Sequence, residues 1–204
     1  FSDRYRSISN FYPERTIVST GLSKWCGAGG WRLGFFAIPN QLSELKNSLK
    51  ILCSESFTSV SAPIQYAAVE AYRGDHSAYL NSIKKILLLA GTYVYENLIS
   101  NTINVTKPDG GFYLMPEFTN AKFSSSSKMC KDILNKTGVA LLPGSDFGLN
   151  SNKMLARLSY TDFDGNNFLN NTSGSKKLDD SDLRKYAPNI VEGVIKLKEW
   201  SNSL

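Results

Sequence analysis

Two cationic side chains, Lys24 and Arg32, stand in one glycine-rich loop. This loop follows a short β-branched run over residues 16–19, which reads as a buried strand. A lysine that is partly desolvated and near other cations becomes an amine nucleophile and can form a Schiff base with an aldehyde. An arginine is always charged, and its fork-shaped guanidinium suits a phosphate group. Glycines let the backbone approach a ligand closely. Together these residue types predict a site for an aldehyde that carries a phosphate, such as pyridoxal 5'-phosphate (PLP).

Two other interpretations of this segment stay open from its composition. The first is a surface loop in which the lysine and the arginine are merely solvated. The second is a nucleotide-binding loop built on Gly27-Ala28-Gly29-Gly30. The spacing disfavours the second interpretation, because Arg32 falls where the third glycine of a G-x-G-x-x-G motif belongs.

A third cationic residue, Arg157, lies in the middle of the otherwise apolar segment 154–160. This segment reads as a strand. Burying an unpaired arginine in a strand is costly, so the pattern predicts an anionic partner for Arg157. The residues leave open whether that partner is a ligand or a protein carboxylate such as Asp146 or Asp162.

The bulk composition limits the classes of function. The chain has 204 residues, of which 42% are apolar and 20% charged, and a net charge of +5, which suits a globular protein and does not indicate a nucleic-acid partner. Cys26, Cys53 and Cys130 lack metal-ligand spacing and favour a reducing compartment. His76 is the one histidine, so a Ser-His-Asp, Cys-His or His-based metal site would have to be built on it. Without a signal peptide or a membrane-spanning run, we expect a cytoplasmic protein with no membrane partner.

The first half of the chain is predicted to be mainly helical after the glycine-rich segment. An apolar run over 33–38 stops at Pro39. Apolar periodicity, Pro63 and Gly74 then predict helices over 41–53, 63–72 and about 77–100, with Asp75 or Ser77 as the cap of the last.

Short strands and loops are predicted from residue 101 onward. The predicted elements are strands over 102–106 and 112–115 about the turn 108–111, a helix over 128–136 closed by Gly138, a strand-turn over 138–148, the strand 154–160, a mobile insertion over 162–178, and a final helix over 179–204 interrupted near Pro188.

The segment from Gly21-Leu22-Ser23-Lys24 to Gly30-Trp31-Arg32-Leu33-Gly34 closely resembles the lysine motif of class I/II aminotransferases, which are fold-type I PLP enzymes. The runs 110–113, 138–148 and 154–160 resemble further elements of the same family. The resemblance implies that Lys24 carries PLP and that Arg32 binds its phosphate. It also implies that Arg157 binds the α-carboxylate of the substrate.

Two further residues, Ser23 and Gly21, are candidate cofactor contacts. Many family members have Ser or Thr three residues before the lysine, whereas this chain has Gly21. Only the backbone of Gly21 is therefore available to the phosphate. Ser23 is adjacent to the lysine and does not occupy the family's position.

The resemblance also implies an α/β fold and a domain organisation. We expect residues 1–75 to be the end of the PLP-binding large domain, 76–100 a long interdomain helix, and 101–204 a small α+β domain. The chain would then be the C-terminal half of a homodimeric enzyme. Because the pyridine-binding aspartate and the first phosphate loop would lie upstream, we expect this chain alone to transaminate poorly or not at all.

The implied activity is transfer of an amino group between an amino acid and a 2-oxo acid through a lysine Schiff base. The same residues also serve other fold-type I PLP enzymes, namely lyases, decarboxylases and synthases. A folded fragment without catalytic activity is the remaining alternative.

Overall fold

The computed structural model describes residues 1, 5–172 and 177–204. These residues form two compact units. The N-terminal unit comprises residues 5–80, and the C-terminal unit comprises residues 81–204 together with residue 1.

The N-terminal unit begins with two 3₁₀ turns, Ile8–Asn10 and Pro13–Arg15, followed by two antiparallel strands. The elements after these turns are β1 (Val18–Gly21), α1 (Leu22–Trp25), β2 (Gly34–Ala37), α2 (Ser43–Phe57) and α3 (Ala62–Arg73). The expectation of a loop around Lys24 was wrong in one respect, since a single helical turn, α1, carries this lysine.

Strand β1 is not the buried strand that the β-branched run 16–19 predicts, and its partner β2 is exposed as well. Val18 is 38% exposed, and Phe36 is 62% exposed. The reason is that, among the described residues, their sheet is two-stranded and the buried core of this unit consists of Leu22, Leu33 and Ala68. The apolar stripe of α2 is likewise uncovered, with Leu52 61% exposed.

Helix α4 (Ser77–Leu98) follows, and its start agrees with the cap predicted from the sequence. Asp75 accepts hydrogen bonds from the backbone N–H and the hydroxyl of Ser77, at 2.9 and 2.6 Å. These bonds satisfy a backbone donor at the helix start, which the helix itself leaves without a partner. They also lower the pKa of the Asp75 carboxyl, because they stabilise its charged form.

The C-terminal unit contains a three-stranded antiparallel sheet and most of the buried apolar side chains. Its elements after α4 are β3 (Ile103–Asn104), β4 (Tyr113–Leu114), β5 (Glu117–Phe118), α5 (Ser126–Thr137), β6 (Leu142–Pro143), β7 (Ala156–Ser159), α6 (Gly165–Thr172), α7 (Asp180–Tyr186) and α8 (Pro188–Asn202). The sheet order is β4-β7-β6, which makes β7 the central strand.

Helix boundaries in this unit follow local signals in the sequence. Ser125 accepts a hydrogen bond from the Lys128 backbone and caps α5, and Gly138 ends α5 in the left-handed conformation, with φ of 76°. Asp179 caps α7 in a capping box, and Pro188 begins α8. The predicted interruption near Pro188 is therefore confirmed as a boundary between two helices.

Two expectations for this unit were wrong. Strands β3 and β4 do not pair about the turn 108–111, since β3 pairs with β5 and β4 pairs with β7. The segment 162–178 was expected to be a mobile insertion, but it contains α6, and Phe168 of that helix is fully buried. Residues 173–176 of the segment 162–178 lie outside the described residues. Phe163 and Phe168 pack edge to face within the core, with ring centroids 5.5 Å apart.

Candidate cofactor and substrate site

Lys24 and Arg32 lie on one loop that is closed at its base. The register of β1 and β2 pairs Gly21 with Gly34, and the Leu22 N–H donates to the Leu33 carbonyl at 3.1 Å. A Cβ on Gly34 would lie only 2.8 Å from the Thr20 carbonyl oxygen, so the close approach of the strands requires glycine there. The glycines of the motif thus bring both cations onto the same loop, residues 22–33.

Helix α1 holds Lys24 in a defined direction. Leu22 at its start is fully buried, and Trp25 at its end packs on the rings of Tyr72 and His76, at 5.4 and 5.6 Å between centroids. With these two residues directed inward, the Lys24 side chain lies on the exposed side of the turn. The described residues therefore do not supply the desolvation that we expected for this amine.

Arg32 has an unusual backbone conformation. Its φ of 53° and ψ of 44° lie in the left-handed region, which costs a residue with a Cβ about 1 kcal/mol. The guanidinium Nη1 donates to the Gly29 carbonyl at 2.9 Å, and the side chain is exposed. Because a guanidinium has five N–H donors, this geometry leaves donors for an anion.

The other two candidates, Ser23 and Gly21, belong to the same loop and strand. Ser23 is half-buried on α1, and its Cβ lies 4.0 Å from the position that a Cβ on Gly29 would occupy. Gly21 ends β1 directly before α1 and can offer only backbone groups. Both residues stay predictions as cofactor contacts.

The chemistry of this set of donors fits PLP. An exposed primary amine can bond to the aldehyde, and an exposed guanidinium on the same loop can hold the phosphate.

Within the described residues, no group of three or more His, Cys, Asp or Glu side chains could hold a metal ion. In the same part of the chain, no helix is long and apolar enough to span a membrane.

Arg157 belongs to the C-terminal unit and lies in the central strand β7, paired with Leu142 of β6. Its half-buried guanidinium lies over two aromatic rings, with Cζ 4.3 Å from the centroid of Tyr113 and 4.3 Å from that of Phe147. Among the described residues it forms no salt bridge, so neither Asp146 nor Asp162 is its partner. Its N–H groups thus face no described carboxylate.

The sequence alone does not indicate that Tyr113 and Phe147 are neighbours of Arg157. Both residues belong to the runs 110–113 and 138–148, which were singled out for their resemblance to the family. The resemblance of these two runs to the family is the feature of the sequence that indicates a role for Tyr113 and Phe147. Their contact with Arg157 depends on how the strands pair, which a single sequence does not state.

Comparisons with known proteins agree with the motifs. The family described as aminotransferase class I and II matches residues 3–167. The chain is 32% identical over 158 residues to an aspartate aminotransferase of Bacillus sp. strain YM-2, covering 75% of this chain and 38% of the relative. It is 35% identical over 144 residues to a probable N-acetyl-LL-diaminopimelate aminotransferase of Bacillus subtilis, covering 69% of this chain and 35% of the relative.

A solved structure gives the same result for the fold. The alanine aminotransferase of Pyrococcus furiosus superposes with a TM-score of 0.71 at 26% identity, covering 92% of this chain and 42% of that one. The chain therefore spans less than half the length of these relatives, and its α/β fold is that of the PLP-dependent aminotransferases. With the family match over most of its length and the lysine and arginine motifs in place, the chain belongs to the class I and II aminotransferases.

Proposed function

We propose that this chain carries the PLP lysine and the substrate arginine of an aminotransferase that moves an amino group between an amino acid and a 2-oxo acid. The observation that carries this proposal is the closed loop 22–33, which joins an exposed amine and an exposed guanidinium. Membership of the aminotransferase family supports the reaction type.

In this proposal, different residues of the loop bind different groups of PLP. Lys24 would hold PLP through the aldehyde group, and the guanidinium of Arg32 would hold the phosphate. Ser23 and the backbone of Gly21 add further contacts at the phosphate. The left-handed conformation of Arg32 supports its role, because backbone strain of this kind clusters at ligand sites.

When bound, PLP supplies a ring that takes up the electron pair left at the substrate α-carbon. The role of Lys24 is then proton transfer. Its Nζ would take the proton from the α-carbon as a general base and would return it as a general acid.

Arg157 is proposed to bind the α-carboxylate of the substrate. Two parallel N–H···O bonds fix both the position and the direction of a planar carboxylate, so the α-carbon is held in one orientation. The lack of a described carboxylate partner for Arg157 supports this role, because its N–H donors are then free for a ligand.

The domain organisation and assembly are proposals as well. We propose that residues 1–75 end the large domain, 76–100 form the interdomain helix, and 101–204 form the small domain of a homodimeric, cytoplasmic enzyme. The family membership supports the first three assignments. The cysteines Cys26, Cys53 and Cys130 are all free thiols, which suits a reducing compartment.

The test is to trap PLP on the chain with borohydride and map the labelled peptide by mass spectrometry. We expect the label on Lys24 and its loss in Lys24→Ala. The matched control is Lys50→Ala, which removes an exposed lysine of α2 and should leave the labelling unchanged. No label, or a label that spreads over surface lysines and persists in Lys24→Ala, would contradict the proposal.

A further inference from the structure

Three side chains from separate elements of the C-terminal unit meet around one guanidinium. Arg157 comes from β7, Tyr113 from β4, and Phe147 from the 3₁₀ helix Gly144–Phe147. Each ring centroid is 4.3 Å from Cζ of Arg157, within the range of a favourable cation–π interaction. Among the described residues, these rings replace the carboxylate that would normally hold a half-buried arginine.

The register of the sheet determines where Tyr113 lies. Strands β4 and β7 pair Tyr113 with Ser159 and Leu114 with Leu158. Side chains alternate along a strand, so Arg157 and Ser159 share a face, and Tyr113 lies on that face as a diagonal neighbour of Arg157. The buried Leu114 and Leu158 occupy the opposite face and anchor both strands.

The position of Phe147 depends on a tight turn after β6. The Gly144 N–H donates to the Leu155 carbonyl at 2.8 Å, which ties the 3₁₀ helix to the segment before β7. A Cβ on Gly144 would lie 3.0 Å from that carbonyl oxygen, so glycine permits this approach. Gly148 ends the helix with φ of 79°, directly after Phe147. The ring therefore rests on a constrained backbone.

We propose that Tyr113 and Phe147 are positioning residues that hold the guanidinium of Arg157 by its faces and leave its N–H edge for a planar carboxylate. This inference rests on the proposed function, in which Arg157 binds the substrate carboxylate. A ring attracts the positive charge without accepting the N–H bonds. An acidic partner would instead use the same donors that the ligand needs.

The exposure of the two rings agrees with a ligand site. Tyr113 is 37% exposed and Phe147 is 42% exposed, so the rings border solvent and do not belong to the core. A carboxylate can therefore reach the guanidinium from solvent beside these rings.

The experiment measures the binding of pyruvate to the chain through the NMR signal of the Arg157 Nε–H group. Pyruvamide, which has nearly the same shape but no charge, is the matched control ligand. In the unmodified chain we expect the ring currents of Tyr113 and Phe147 to shift this signal upfield. Pyruvate should move the signal in a saturable way, and pyruvamide should not.

Variants of the rings test the proposal directly. We expect Tyr113→Leu and Phe147→Leu to weaken pyruvate binding on the order of 3- to 30-fold, in line with the strength of cation–π interactions, and to return the Nε–H signal toward its ordinary position. Tyr113→Phe and Phe147→Tyr keep a ring and should retain binding. Leu149→Ala removes an exposed apolar side chain near the same turn and should have no effect.

Arg157→Leu separates failure of this inference from failure of the proposed function. If pyruvate binds equally well to Arg157→Leu, the proposed carboxylate role of Arg157 is wrong, and with it the role of the rings. If Arg157→Leu abolishes binding but the leucine variants of the rings bind like the unmodified chain, only the positioning role is overturned. Backbone amide spectra show in each case that the variant is folded.

Discussion

Tyr160 and Cys130 are buried ionisable residues of the C-terminal unit, 1% and 6% exposed. Burial disfavours their charged forms and raises the pKa of Tyr160 to about 12 and that of Cys130 to about 11, with a further contribution to Cys130 from the negative charge of Asp146. The Tyr160 hydroxyl donates to the Gly111 carbonyl at 3.0 Å, which also favours the neutral phenol.

These raised pKa values predict a loss of stability at high pH. The pKa of Cys130 rises from 9.0 in the unfolded chain to about 11 in the folded chain, and that of Tyr160 rises from 10.0 to about 12. Each neutral group therefore stabilises the folded state fully below its unfolded pKa, and this contribution is lost as the pH rises through its folded pKa. We expect the free energy of unfolding to fall by about 2–3 kcal/mol between pH 8.5 and 10.5 from these two groups. Urea denaturation at both pH values measures it.

The controls for this prediction are Cys130→Ala and Tyr160→Phe. The first should remove the larger part of the fall, because its thiol begins to titrate at lower pH in the unfolded chain. In the double variant, the part of the decrease in the free energy of unfolding that these two groups cause should be absent. An equal fall in the double variant and the unmodified chain would show that other residues are responsible.

At the scale of single residues, the residue types in the loop 22–33 and in β7 were sufficient to select Lys24, Arg32 and Arg157 as candidates. The reason is that their chemistry belongs to the side chains themselves. The exposure of Lys24 was not predictable, because it depends on the packing of Leu22 and Trp25 of α1.

At the scale of elements, glycines inside two helices distinguish tight from open packing. Gly91 is buried in α4, and a Cβ there would lie 2.9 Å from Cζ of Tyr160 and 3.2 Å from Cγ of Pro108. Gly193 lies in α8, and a Cβ there would meet only Cγ2 of Val139, at an ordinary 3.9 Å.

Alanine substitutions at these positions should therefore have opposite effects. At both, alanine gains up to about 1 kcal/mol in helix propensity. Gly91→Ala also forces the Tyr160 ring to move, at a cost of about 1–3 kcal/mol, so we expect a net loss. Gly193→Ala should raise the midpoint of thermal unfolding by roughly 2–4 °C. Thermal unfolding of each variant measures this midpoint. A higher midpoint for Gly91→Ala than for the unmodified chain would contradict the packing described for α4.

Helix boundaries were more predictable than strand pairing for a physical reason. The caps at Asp75, Ser125 and Asp179 bind backbone groups within three residues, so the signal and its structure lie together in the sequence. The partner of β4 is β7, far away along the chain, and nothing near residue 113 specifies it. The helix α6 was missed because its Asn-rich turns resemble loop composition, and the burial of Phe168 outweighs that preference.

At the scale of the whole molecule, the two units differ in how much apolar surface they bury. The buried core of the N-terminal unit consists of Leu22, Leu33 and Ala68, whereas that of the C-terminal unit extends from α4 to α8. Large apolar side chains such as Phe11, Ile51 and Tyr66 of the N-terminal unit are 76%, 67% and 77% exposed. Local stability follows the number of buried apolar contacts.

We therefore expect hydrogen exchange to protect the units unequally. Backbone amides of α2 and α3 should exchange at a lower free energy of opening than those of α5 and α8, because fewer buried side chains hold the first pair in place. Exchange followed by mass spectrometry in native buffer measures this difference. Equal protection of both pairs of helices would contradict it.

The sequence by itself determined which chemical groups this protein offers and where local signals cap its helices. Reactive groups are carried by single residues, and helix caps act over a few positions, so both can be read along the chain. Only the tertiary structure decided that the loop 22–33 closes between Gly21 and Gly34, and that two aromatic rings flank Arg157. Those contacts join residues distant along the chain, and their geometry follows from strand register and core packing, which act on the folded chain as a whole.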